Sequence, residues 1–447
     1  MNFVDACQRA ISIDSSKSHG TNDIALFFAE LALSKGLMAE VLDETFLGAP
    51  QKLLVIRPSQ ASAPEDFVLS SYLDTRDPED YSAWTKTGAN PFSASVEGDL
   101  LYGLGAGEPK LDFVSKLFAL AEHADKKYAK RNPVLVGGFG AEGGMGVMRL
   151  FRKRILKPSH ALVGQATGLR MAENAPGYAI IEVKVPFSSE EKAFQQQMQF
   201  AENVTTQTKM FTSSATLTTE RDLSENPISQ LLYYLKNLPS GLSLISADGG
   251  VSPTQLPDAS WLEIQLNDQI NESIIPKLAK LYESFMALAG ELRTVTHSEF
   301  TPNYSSVNIG SIKTKPDGVY IFGSCKFVPN VTRDHYEKWL NNLEASCKSI
   351  GAEFQLLDFR EPFSGHSDAQ LGTVLSEALE KENLNPSLAV GHQCSEANLF
   401  SRFKVETLLF GAGNFDRGNK VANESISLKD LQKAQAVYSR VIGGLCS

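Results

Sequence analysis

Cysteine is scarce in this chain and falls into no pattern. Five residues, Cys7, Cys325, Cys347, Cys394 and Cys446, are scattered over 447 positions. An odd set without paired metal spacing excludes a disulfide scaffold and a zinc-finger type of site, and it points to the reducing cytosol, so a cytoplasmic protein is expected. Long apolar runs are absent too. None approaches the ~18–20 residues that span a bilayer, so no membrane partner is expected. Positive charge is in the minority, with Lys+Arg 42 against Asp+Glu 52 and a net charge of -10. The basic clusters Lys126-Lys127 and Arg152-Lys153-Arg154 are too short to track a phosphate backbone, which argues against nucleic acid. Met1 to Cys7 has no basic segment followed by an apolar stretch, so no signal peptide is expected. The rest is ordinary: 42% hydrophobic, 21% charged, 33 Gly and 20 Pro. That excludes disordered, collagen-like and coiled-coil chains. At roughly 100–200 residues per domain, two or three globular units are expected.

The first 175 residues or so alternate helical and strand-like signals. Thr21 to Lys35 has apolar residues at helical spacing, and Gly36 follows where a helix ends. Short apolar runs at Leu53–Ile56, Phe67–Leu69 and Val134–Val136 read as buried strands, with a helical pattern at Phe113–Ala124 between the last two. This order argues an α/β layer structure, whose ligands sit beyond the carboxyl ends of the strands. The texture changes near Pro176-Gly177. Tyr178–Val185 reads as a strand, and Pro227–Leu238 as a helix capped by Asn226. A strand at Trp261–Leu266 and a helix at Glu272–Leu292 follow. A similar run recurs with strands at Val307–Ile312 and Val319–Phe322, a helix at Arg333–Ile350 and a strand at Glu353–Leu357. From Phe359 the α/β texture returns and ends in a helix, Leu428–Ile442. The expected organisation is a split α/β domain, 1–177 and 359–447, with an inserted α+β domain, 178–358, whose elements look internally doubled.

Several segments together resemble one family. Val68-Leu69-Ser70-Ser71-Tyr72-Leu73-Asp74-Thr75 is followed by Trp84, Pro91-Phe92 and Gly98 to Lys110, which reads GDLLYGLGAGEPK. Further on come Gly137-Gly138-Phe139-Gly140-Ala141-Glu142, His160 to Thr167, Gly249-Gly250 with Pro257, and Ser306 to Gly310. Near the end stand His392-Gln393-Cys394-Ser395-Glu396-Ala397, Gly411-Ala412-Gly413 and Asn423-Glu424. In order and spacing these resemble the co-catalytic di-zinc peptidases and amidohydrolases, which include acetylornithine deacetylase, succinyl-diaminopimelate desuccinylase, carboxypeptidase G and Xaa-His dipeptidase. The resemblance is nearest to the dipeptidase branch and covers nearly the whole chain, apart from about Glu190 to Leu223. It implies a zinc-peptidase-like domain carrying an inserted lid, and a lid doubled as in the dipeptidase branch implies a monomer.

Such chemistry needs two metals about 3.5–4 Å apart, a shell of N and O donors and a carboxylate base. The resemblance places Tyr72 where the family has its first metal-binding His. Glu108 stands for the bridging Asp, Ala141 for the base, Glu142 for the next Glu, and Gln165 for an acidic ligand. Asn419 or Lys420 stands for the last His, and Phe187 for the lid His. Asp74 keeps its place but has no imidazole to orient. The implied outcome is a kept scaffold without the family's catalytic residues. Glu108 and Glu142 read either as weak residual metal ligands or as solvated cleft carboxylates. His392 and Glu396 read either as ligand contacts or as structural residues. Tyr72 either meets a ligand or fills the void and bonds Asp74. The glycines at 103, 105 and 107 complete no nucleotide motif, and Cys394 with His392 lacks an orienting third group. The basic run Arg149–Lys157 reads as an exposed helix face.

The leading expectation is a pseudoenzyme that binds a peptide, a small amino-acid derivative or a protein partner, with no cofactor. The alternative is an active dipeptidase or N-acyl-amino-acid deacylase with an unusual ligand set, using zinc or another divalent metal. A third reading is a purely structural subunit.

Overall fold

The computed structural model describes residues 1–16, 18–46, 49–78, 80–140, 145–198, 205–213, 223–267, 270, 272–413 and 422–447. The chain divides into two compact units. Met1–Ala175 and Phe363–Ser447 form one, and Pro176–Pro362 form the other. The first joint falls just before the one drawn from sequence and the second just after. The cause of the second is strand pairing: Glu353–Arg360 hydrogen-bonds to Gly177–Pro186 and so stays with the inserted unit.

The first unit begins with helices α1 (Phe3–Ser12) and α2 (Asn22–Ser34). Gly36, at φ 79°, makes the left-handed turn that ends α2. Strands β1 (Leu37–Phe46) and β2 (Ala49–Pro58) pair antiparallel, and β3 (Glu65–Tyr72) follows. A small sheet starts with β4 (Ser95–Glu97) and β5 (Leu100–Tyr102). Then come α3 (Pro109–Ala121), β6 (Arg131–Gly138), α4 (Met145–Arg152), β7 (Pro158–Gly164), β8 (Met171–Ala172) and β9 (Asn174–Ala175).

The inserted unit holds β10 (Gly177–Pro186), α5 (Ser189–Met198), β11 (Gln207–Thr212) and α6 (Pro227–Leu235). Two hairpin–helix runs follow. The first is β12 (Leu242–Gly249), β13 (Ala259–Leu266) and α7 (Ile275–Leu292). The second is β14 (Ser306–Lys315), β15 (Gly318–Phe327) and α8 (Arg333–Ser349), closed by β16 (Glu353–Arg360). The recurrence visible in the sequence is thus a repeated hairpin–helix, and both copies lie in one seven-stranded sheet ordered β11-β13-β12-β14-β15-β10-β16. Along β10, buried and half-buried residues alternate, so the sheet has one covered face. The covering stripe on α7 is Leu278, Leu281, Phe285, Leu288 and Leu292, all buried.

Asn226 caps α6 as its sequence position implies, its Oδ1 accepting from the N–H groups of Ile228 and Ser229 at 2.9 and 3.2 Å. Its Nδ2 also donates to the Ile309 carbonyl at 2.9 Å, which ties the cap to β14. Asn226→Ala removes both roles. It is expected to lower stability by about 1–2 kcal/mol, read as a lower midpoint in urea unfolding.

The chain then returns to the first unit through β17 (Phe363–Ser364), α9 (Gln370–Lys381), β18 (Leu388–Ala389), α10 (Glu396–Arg402), β19 (Glu406–Phe410), β20 (Ser425–Ser427) and α11 (Leu428–Cys446). The main sheet is ordered β1-β2-β6-β3-β7-β19-β8-β18. Strands β6, β3, β7 and β19 run parallel, so Gly138, Tyr72, Gly164 and Phe410 end on one side. Both faces are covered. Phe67 and Leu69 of β3 join a core shared with α1, α2, α3 and α11, while Val68 joins the one under α4 and α10. That double burial explains why β3 reads as a continuous run rather than an alternation.

Three further observations complete the fold. The basic run at 149–157 is not a plain exposed helix face. The helix stops at Arg152, and Arg149 and Lys153 both clamp Glu44 of β1. All five cysteines are free and buried. No helix among the described residues is long and apolar enough to cross a membrane.

Candidate functional site

The parallel strand ends gather Tyr72, Asp74 and Gln165, with the segment of His392 and Glu396 bonded to them. Tyr72 closes β3 and is buried. The chain behind it is pinned to β6, because Leu73 N–H donates to the Gly138 carbonyl at 2.9 Å and Gly140 N–H donates to Asp74 Oδ2 at 3.0 Å. Asp74 thus has a use without an imidazole: it fixes the turn after β6. Ala141 and Glu142 lie outside the described residues, as do Asn419 and Lys420. Gln165 follows β7, and its amide donates to the Gln393 carbonyl at 3.0 Å, not to Glu108. Its Oε1 is buried without a hydrogen-bond donor among the described residues. His392 is half-buried in the same segment as Gln393. Phe187 belongs to the inserted unit, where it is buried just after β10.

Glu108 is positioned by α3. It is the N-cap of α3 in extended conformation, with Pro109 in the first turn. Beside it stands Glu424, which the sequence reading used only as a landmark. Glu424 is buried and accepts from the N–H groups of Gly105 and Gly107 at 2.6 and 3.3 Å, with Arg76 at 3.9 Å. Burial, and then the neighbouring Glu108, push the Glu424 carboxyl up to about 8. Gly105, at φ 90°, presents its N–H only because its backbone is left-handed, which explains one glycine of the Gly-rich stretch. Lys110 is fully buried, donates to the Ile13 carbonyl at 2.8 Å, and is pushed down to about 8 by burial.

A second polar network lies beneath the strand ends. Lys116 is fully buried and reaches Asp112 Oδ2 at 2.7 Å, the Ser70 carbonyl at 2.7 Å and Ser71 Oγ at 2.9 Å. Tyr438 of α11 donates to Asp112 Oδ1 at 2.6 Å. On the other face of β3, Ser70 donates to Glu396. Neighbouring serines on one strand point to opposite faces, so Ser70-Ser71 joins α10 to α3 through the middle of the sheet. The sequence signal for this network was charge inside an apolar helix, Lys110, Asp112 and Lys116 in PKLDFVSKLFALA.

A profile of the Peptidase family M20/M25/M40 matches residues 68–443. The chain belongs to this family. Its fold is also that of solved family members. An M20 family metallo-carboxypeptidase from Sulfolobus solfataricus superposes with a TM-score of 0.61 at 15% identity, covering 100% of this chain and 99% of that one. Aminoacylhistidine dipeptidase from Vibrio alginolyticus gives 0.57 at 14%, covering 99% and 96%. Human carnosine dipeptidase 1 gives 0.59 at 14%, also covering 99% and 96%. No curated protein sequence matches.

The expectation of no cofactor does not stand. The chain belongs to a metallopeptidase family, and one of the superposing structures is a metallo-carboxypeptidase. Reading ligand positions one by one missed a carboxylate brought in from afar, Glu424 beside Glu108. The described residues at the family's ligand positions still do not fit two ions. Tyr72 has no imidazole, and Gln165 offers one neutral amide oxygen, a weak donor to zinc. Among the described residues, no three His, Cys, Asp or Glu side chains cluster as a metal shell.

Proposed function

We propose that this chain binds a peptide or an N-acyl amino acid at the carboxyl ends of β6, β3, β7 and β19, and does not cleave it by the family's route. The observation that carries this reading is the state of Tyr72 and Gln165. Both are built into the strand ends of a family member, and neither can do what the family's chemistry asks at those positions. A parallel sheet with its strand ends together still forms a ligand face without catalytic residues.

One observation favours a second reading, a metal-dependent amidohydrolase with recruited ligands. Glu108 and Glu424 are two carboxylates close enough for Glu108 to raise the proton affinity of Glu424. Such a pair is a ready acidic site for a cation.

One experiment separates the two. The purified full chain is assayed for bound metal by mass spectrometry. It is then screened against dipeptides and N-acetyl and N-succinyl amino acids, with and without Zn²⁺, Co²⁺ or Mn²⁺. The binding reading expects at least one compound to raise the melting temperature without turnover; at a hundredfold excess over Kd the gain is about 2.7 kcal/mol. Metal-dependent turnover selects the second reading, and no shift with any compound overturns the first.

A further inference from the structure

Glu396 opens α10 with its side chain almost wholly buried, at 1% exposure. One carboxyl oxygen, Oε2, accepts from Ser70 Oγ. The other, Oε1, has no hydrogen-bond partner among the described residues. It lies close against the backbone of β6: a Cβ on Gly138 would stand 2.5 Å from it. The charged groups nearby relieve it only in part. Lys116 of α3 directs its ammonium to Asp112, Ser71 Oγ and the Ser70 carbonyl. Asp74, after β3, brings a second carboxyl. On the other adjoining elements, Arg152 of α4 is exposed. His160 of β7 pairs with Glu406 of β19 at 3.1 Å at the far ends of those strands, and Arg149 of α4 is held by Glu44. Glu65, Asp66 and Arg131 stand at the opposite ends of β3 and β6.

This gap accepts a neutral carboxyl and penalises a carboxylate. A buried anion with one hydroxyl donor and a second acid close by is costly. Burial raises its proton affinity to about 7, with Asp74 adding to the rise and Ser70 and Lys116 opposing it.

We propose that Glu396 is a proton-held latch. Protonated, it seats the first turn of α10 against β3 and β6. Ionised, it releases that turn together with the Gly391–Ser395 segment, which carries His392 and receives the Gln165 contact. The latch would gate the ligand face read above, but its test needs no ligand, so it can fail without that reading failing. The sign follows from linkage. The folded carboxyl sits near 7 and the released one near its ordinary 4.5. The closed state therefore binds more protons in that window, and latching weakens as pH rises through it.

Hydrogen exchange on the full chain at pH 6.0 and 8.5, corrected for intrinsic rates, is the test. The amides of 396–402 should lose about tenfold in protection between the two pH values, while those of α9 hold. Glu396→Gln keeps the neutral shape and should show the same protection at both. Equal protection of the wild-type segment at both pH values overturns the latch, whether or not the variant folds. So does a loss in Glu396→Gln as large as in the wild type.

Discussion

Lys116→Met should destabilise the first unit by about 3–5 kcal/mol, the larger of the two losses argued below. The cause is not the lost attraction itself. Asp112 stays behind at 3% exposure with Tyr438 and Ser71 as its remaining side-chain donors. Ser71 Oγ and the Ser70 carbonyl each lose a donor at the same time. A buried charge stripped of its partner carries its full desolvation cost, whereas a buried pair removed whole often does not. The double variant Lys116→Met, Asp112→Leu should therefore recover part of the loss. Urea unfolding of the single and double variants, compared as a cycle, checks this. A single-variant loss below 1 kcal/mol would mean that the pair is far better solvated than its burial implies.

In the inserted unit, Gly310→Ala should cost about 3 kcal/mol or more. A Cβ at Gly310 would fall far inside van der Waals contact with the carbonyl oxygens of Ser252 and Pro253. Those obstacles are backbone, so no side-chain rotation clears them. The loop they belong to is itself anchored, because Asn308 Nδ2 donates to the Gln255 carbonyl at 2.9 Å and Ser324 Oγ to the Pro253 carbonyl at 3.0 Å. Relief must come by breaking those bonds or by displacing β14. Differential scanning calorimetry should show the loss in a transition of the inserted unit; an unchanged profile would mean the loop gives way freely.

Much of the fold was legible because its strands and helices carry strong local signals. The run Phe67–Leu69 is buried on both faces, so apolarity alone marks it. Asn226 followed by proline announces a helix start, and the start is there. The strand Leu37–Phe46 was harder to see. Its sequence LMAEVLDETF carries three acids that alternation puts on both faces, and an edge position tolerates them: Glu40 and Asp43 are exposed, and Glu44 is paired with Arg149 and Lys153. The family resemblance was equally legible, since its motifs sit where the backbone is constrained, at strand ends and tight turns. What local reading could not give was convergence. Glu424 lies more than 300 residues from Gly105, and only the pairing of β20 with β5 brings them together. The Ser70–Glu396 contact spans a similar stretch of chain. A ligand list built position by position has no access to such partners, and for that reason the expectation of no cofactor went too far.

The scattered cysteines have a use that their lack of pattern conceals. Each thiol is enclosed, and burial pushes Cys7, Cys325 and Cys446 up to about 12 and Cys347 to about 11. Thiolate, not thiol, reacts with alkylating reagents and oxidants, so the folded chain presents almost nothing to them. Opening is what makes these sulfurs reactive. Cys325 and Cys347 belong to the inserted unit, and Cys7, Cys394 and Cys446 to the other. Each unit therefore carries its own internal clock, and the order in which the sulfurs become labelled records which unit comes apart first.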